Sequence, residues 1–125
     1  MIQSRQLAAI VFTDIVGYTA LMEQDEKKAF EILKKNLAIH QSVINEFRGR
    51  LIKEMGDGML ASFSTVSDAL NASIQIQKHC NETSDYKLSI GIHQGEVVFQ
   101  NGDVFGDAVN VASRIQSLGI SGSVI

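Results

Sequence analysis

The chain has one cysteine, no proline, no long apolar run and no excess of basic residues. A lone Cys80 excludes an internal disulfide and points to a reducing compartment. The longest apolar run near the start, Leu7 to Phe12, has six residues. A signal-peptide core needs about 7–15 and a spanning helix about 20, so no membrane segment is expected and a cytoplasmic location is. A net charge of −3 argues against nucleic acid as a partner, because its binders carry a basic patch. With proline absent, turns fall to the ten glycines. Several stand beside acids: Gly56-Asp57-Gly58, Gly102-Asp103 and Gly106-Asp107.

What is present is the composition of a folded domain. Hydrophobic residues make up 45% and charged residues 20% of 125 positions, which fits one domain burying roughly two thirds of its unfolded surface. No repeat, low-complexity tract or linker divides it. Leu7 to Phe12 reads as a strand buried on both faces, ending at Thr13-Asp14. Ile15 to Thr19 then turns into a short helical stretch. Asp25 to Arg48 reads as a long helix with Asp25 as cap, a stripe of Phe30, Leu33, Leu37, Ile44 and Phe47, and Gly49 as a left-handed stop. His40 falls on that stripe and is read as a packed, hydrogen-bonded residue.

Leu51–Met55 and Met59–Phe63 flank Gly56-Asp57-Gly58, a hairpin signal. Val66 to Lys78 is a second helix capped by Thr65 or Ser67. Leu88–His93 and Glu96–Phe99 read as two strands around a turn at Gln94-Gly95. Asp107 to Leu118 is a third helix, and Ser123-Val124-Ile125 begins a strand. Helices alternating with hairpins predict an α+β fold: a ferredoxin-like, palm-type antiparallel sheet with helices packed on one face. The other face is left for solvent, a ligand or a second copy.

Asp14 ends the first strand and Asp57 tips the hairpin, 43 positions later. In a split β-α-β layout the two points can lie side by side. Two carboxylates about 4 Å apart repel by roughly 4 kcal/mol at an effective dielectric of 20. A shared proton or a divalent cation offsets that, and carboxylates on turns suit magnesium. Each aspartate alone is equally well a cap or a turn former. The backbone after Asp14 leaves a strand through Gly17 and enters a helix, an arrangement that binds phosphate. Lys53 lies among Leu51, Ile52 and Met55, where an ammonium needs either a partner or a route to water. On the third helix Asn110 and Arg114 share one polar face, opposite an apolar stripe of Ala108, Val111, Ile115 and Leu118. Asn is a poor mid-helix residue, and arginine offers a planar fork for phosphate.

These residues stand in an order that resembles the class III adenylyl and guanylyl cyclases. The matching stretches are Ile10 to Thr19, Lys53-Glu54-Met55-Gly56-Asp57-Gly58, Gly91 to Val97, and Gly102 to Arg114 with its spacing of Asp103, Asn110 and Arg114. The likeness runs through nearly the whole chain. It implies that Asp14 and Asp57, with the Ile15 carbonyl, hold two divalent cations, Mg2+ or Mn2+. It implies that Val16, Gly17, Tyr18 and Thr19 cradle the triphosphate, and that Lys53 and Asp103 read adenine. Asn110 would orient the ribose and Arg114 would stabilise charge on the transferring phosphate. The activity implied is conversion of ATP to 3′,5′-cyclic AMP and pyrophosphate, in a homodimer whose sites lie between the two chains. The family pattern continues past residue 125, so a catalytic domain over 1–125, incomplete at its C-terminus, is expected, with regulatory domains in a longer parent chain. The rival expectations are a catalytically incompetent nucleotide-binding or regulatory module and a dimerisation module.

Overall fold

The computed structural model describes residues 3–83, 86–119, 122 and 124–125. Five strands form one antiparallel sheet: β1 (Gln3–Ile15), β2 (Arg50–Met55), β3 (Gly58–Phe63), β4 (Leu88–Gln100) and β5 (Asp103–Phe105). Their spatial order is β2-β3-β1-β4-β5. Helices α1 (Tyr18–Gln24) and α2 (Glu26–Glu46) connect β1 to β2, α3 (Val66–Thr83) connects β3 to β4, and α4 (Asp107–Ser117) follows β5. The first four strands and their crossovers are the expected ferredoxin-like pattern, with β5 added as a hairpin.

β1 is central and alternates between two cores. Ala9, Val11 and Ile15 join Ile32, Val43, Ala72 and Ile76 from α2 and α3 on one face. Ala8, Ile10 and Phe12 join Leu60, Val97, Ala108 and Ala112 on the other. Packing of helices on one face therefore describes α1, α2 and α3, whereas α4 covers part of the opposite face. Small residues admit it. A Cβ at Gly95 would stand 2.7 Å from the Ala108 methyl, and one at Gly91 would collide with the Gln116 backbone.

Gly95 accordingly lies inside a strand. Leu88 to Gln100 is one continuous 13-residue element paired with β1 along its length, where two strands and a turn were expected. The turn comes at Asn101-Gly102, both with positive φ (54° and 77°), the dipeptide best suited to a tight hairpin. The hairpin at Gly56-Asp57 is as expected, with Gly56 at φ 63° and Met55 paired to Gly58.

Two details of α2 differ from the periodicity. Its buried positions are Ala29, Ile32, Asn36, His40, Val43 and Ile44, while Phe30 is half exposed. Two polar residues occupy the centre of the buried face, and hydropathy alone rotates the helix away from them. At the C-terminus Arg48 (φ 63°) takes the left-handed position, with Arg48 N–H donating to Asn45 O (3.1 Å) and Gly49 N–H to Ile44 O (2.8 Å). Gly49 is required instead because the Phe63 ring fills the place of its Cβ. Asp25 and Thr65 cap α2 and α3 as expected, accepting from Lys28 N–H and Asp68 N–H. Of the last expected strand, Ser123 lies outside the described residues. Val124 bridges Ile90 in parallel, and Ile125 exchanges backbone bonds with Ile90 and Ile92.

Candidate active site

The β1–β3 register sets Asp14 opposite Gly58, which brings Asp57 beside it. The two carboxyls share a hydrogen bond. Burial pushes Asp14 up from 3.8 to about 7, and the Asp57 hydrogen bond and charge push the same way against a lowering contact from the Ile15 backbone. At neutral pH the pair therefore shares a proton or recruits a cation. Among the described residues no third His, Cys, Asp or Glu joins to complete a metal cage. Oxygen donors at a strand end and a hairpin tip, with positions left for water and phosphate oxygens, fit a hard divalent ion.

The turn after β1 is next to this pair. Val16 is exposed and its N–H donates to Lys87 O (2.9 Å), Gly17 takes φ 72°, and no side chain caps the start of α1. Tyr18, Thr19, Met22, Phe30 and Leu33 line an open groove of about 540 Å³ that ends on Gly56 and Asp57. The expected phosphate loop and the second aspartate thus border one space.

Lys53 and Asp103 meet as well, although β2 and β5 are opposite edges of the sheet. Lys53 Nζ donates to Asp103 Oδ2 at 3.1 Å. The edges reach each other because the sheet curls, helped by a register shift in β2 between Leu51 and Lys53. The Arg50 guanidinium, 5.2 Å from the centre of the Phe99 ring, likewise ties β2 to β4, the neighbour of β5. The Val104 N–H, at 2.7 Å, and then Lys53 hold Asp103 below the usual carboxylate range. Both side chains stay partly accessible, at 42% and 32%. Lys53 therefore has both a partner and a route to water.

On α4 the expected apolar stripe of Ala108, Val111, Ile115 and Leu118 is rotated: the buried line is Ala108, Ala112 and Gln116, and Leu118 is 80% exposed. Asn110 and Arg114 do share the exposed face. Gln116 fixes the helix end, its Nε2 donating to Ser89 Oγ (3.0 Å) while that hydroxyl donates to Gln116 O (2.7 Å). Ser89 is the β4 residue opposite Asp14.

Sequence reasoning missed this clasp and a second one behind Asp14. His40 is buried, with Nδ1 2.8 Å from Asn36 O and Nε2 2.9 Å from Thr13 Oγ1. A carbonyl only accepts, so Nδ1 carries the proton and the Thr13 hydroxyl donates to Nε2. Tyr86 OH donates to Asn36 Oδ1 at 3.0 Å. The available signal was the pair of polar residues four apart at the centre of α2.

The family model for the adenylate and guanylate cyclase catalytic domain matches residues 1–125. The chain belongs to that family. A Rhizobium meliloti (strain 1021) relative is 35% identical over 135 residues, 96% of this chain and 22% of its own length. The adenylate cyclase of Anabaena cylindrica is 34% identical over 139 residues, 92% of this chain and 28% of its own. The chain thus spans about a quarter of the length of these relatives. Among solved structures, the adenylate/guanylate cyclase/hydrolase from Silicibacter pomeroyi superposes with a TM-score of 0.85 at 33% identity, covering 98% of this chain and 76% of that one. The adenylyl cyclase CyaB from P. aeruginosa shares the fold, with a TM-score of 0.89 at 22% identity over 99% and 78% of the two chains. This cyclase domain is therefore the expected α+β fold, and among the described residues none of its helices is long and apolar enough to cross a membrane.

Proposed function

We propose that this cyclase domain converts ATP to 3′,5′-cyclic AMP and pyrophosphate at sites shared between two copies of the chain. The observation that carries the choice of base is the contact of Lys53 with Asp103. It sets a donor beside an acceptor. The ammonium donates to adenine N1 and the carboxylate accepts from the exocyclic amine. Guanine in the same pose offers N1–H and O6, meeting donor with donor and acceptor with acceptor. Each unpaired group costs about 1–3 kcal/mol.

Asn110 orients the ribose, and Arg114, one turn on, spreads its guanidinium toward the phosphate that becomes five-coordinate. The 3′-oxygen, giving up its proton to water, attacks the α-phosphorus in line, and pyrophosphate leaves with the electron pair of the broken P–O bond. The chain supplies position and charge, without a covalent intermediate. Gly17, Tyr18 and Thr19 receive the triphosphate through backbone N–H groups, beside Val16, whose own N–H is held by Lys87 O. Asp14, Asp57 and the Ile15 carbonyl would hold the divalent cations, Mg2+ or Mn2+, that neutralise the triphosphate and acidify the 3′-hydroxyl when bound.

Lys53 lies in β2 and Asp57 in the turn beyond its end, at most about 13 Å apart. They reach different ligands more readily than the same one. A symmetric dimer, with the aspartates and phosphate loop from one copy and Lys53, Asp103, Asn110 and Arg114 from its twin, uses every one of these groups in two equal sites. The matched relatives are several times longer, which fits a catalytic domain working beside regulatory ones in a cytoplasmic parent chain.

The test is product formation from ATP and from GTP with Mg2+ or Mn2+. Cyclic AMP from ATP, exceeding cyclic GMP from GTP by about tenfold or more, is expected. Equal or reversed turnover overturns the assignment of the base. Nucleotide binding by a folded dimer with no turnover of either substrate points instead to a regulatory module.

A further inference from the structure

The end of the sheet away from Asp57 holds a second polar feature that the cyclase chemistry does not use. Arg48, Arg50, Ser62, Ser64 and Phe99 border a half-open cavity of about 70 Å³. No carboxylate lines it. Arg48 reaches Asp68 outside, at 3.2 Å. Arg50 lies over the Phe99 ring, and among the described residues it has no acidic partner. A guanidinium held on a ring keeps its edge N–H groups free to donate.

Ser62 is the more telling residue. It sits directly opposite Arg50 in the β2–β3 register and is 94% buried. Among the described residues its hydroxyl has no protein hydrogen-bond partner, although it lines the cavity. The residue is nearly buried, yet its Oγ keeps access to the cavity, where a seated group can meet it. Ser64 adds a third donor at the rim. In a chain of net charge −3, a carboxylate-free cavity walled by two arginines and two serines has an unusual local sign.

We propose that this cavity is a binding site for a small free oxoanion of the phosphate or sulfate type, held by Arg50, Ser62 and Ser64. The space open to the centre of a water-sized sphere, about 70 Å³, is several times the roughly 10–15 Å³ that one water needs, enough for such an ion. The ion joins the start of β2 to the end of β3 and so braces the open end of the hairpin whose tip carries Asp57. The site is about 16 Å from that tip along β3, and the proposal does not depend on the cyclase reading.

The probe is inorganic phosphate, titrated into the whole chain at constant ionic strength against chloride, with AMP in a parallel titration. Amide resonances of Ser62 and Ser64 and the unfolding midpoint are the readouts. Saturable phosphate-induced shifts centred on these residues are expected, with no effect of AMP there. Arg50→Gln and Ser62→Ala should each weaken phosphate by about tenfold, the loss of one charge-assisted or buried hydrogen bond, while Arg5→Gln leaves it unchanged. Ser62→Ala alone decides if Arg50→Gln, which also loses its seat on Phe99, does not fold. A linear response without saturation, saturable binding indifferent to Ser62→Ala, or equal shifts with AMP would each overturn the assignment.

Discussion

A carboxyl half-buried beside another carboxyl keeps its proton longer than one in water, and this governs the behaviour of Asp14. The folded state holds the proton up to about pH 7, whereas the unfolded chain releases it near 3.8. Between those values the native state binds more protons, so without metal the stability of the domain falls as pH rises from about 4 to 7. Asp57→Asn removes the repulsion. It should raise the metal-free unfolding midpoint at pH 8 by roughly 4 °C, or ~1 kcal/mol after allowance for solvent screening, while abolishing cyclase activity. An unchanged or lower midpoint in EDTA would show that the two acids do not strain the fold.

His40 has the opposite sign. Burial lowers it from 6.5 to about 4, countered only in part by its bond to Asn36. The unfolded chain takes up the proton first, so stability is lost as pH falls from 6.5 toward 4, by about 3 kcal/mol in full. Urea unfolding at pH 7 and pH 4.5 should show a smaller pH difference for His40→Gln than for the parent chain. Lys53→Met should cut kcat/KM for ATP by about 10–100-fold, the cost of an unpaired base nitrogen and of Asp103 left without its cation. Steady-state kinetics on ATP check it.

At the scale of elements, most strands and helices were legible because their signals are local: Gly56-Asp57 for the hairpin, Asp25 and Thr65 for caps, a β-branched run for β1. The misreadings share a cause. Gly95 looks like a turn residue and is a strand residue, because its missing side chain makes room for Ala108 on a helix not yet placed. The stripes of α2 and α4 were rotated because Asn36, His40 and Gln116 are buried polar residues whose partners lie on other elements. Such pairings are tertiary facts and leave only a polar residue on an apolar face as their trace. The meeting of Lys53 with Asp103 was expected from the family resemblance but not from the strand order, which sets them on opposite edges that only the curl of the sheet joins. The seating of α4 makes a prediction of its own. Gly95→Ala should destabilise by about 1–3 kcal/mol through overpacking, and Ala108→Gly in the same chain should recover part of that by returning the space. A double-mutant cycle in urea measures the coupling, and strict additivity would contradict the contact.

For the whole molecule, the sheet divides its functional groups by position. The tips of β1 and the β2–β3 hairpin present acids, the touching outer strands present a donor beside an acceptor, and α4 holds Asn110 and Arg114 clear of the core. The proposed sharing between two copies would give each set an opposite number. The decisive measurement mixes two separately inactive variants, Asp57→Asn and Asn110→Ala, in equal amounts and assays cyclic AMP. Random pairing makes half of the dimers mixed, each with one intact site of two, so about a quarter of the parent activity should return. A mixture that forms mixed dimers yet stays as inactive as its components would contradict the shared site.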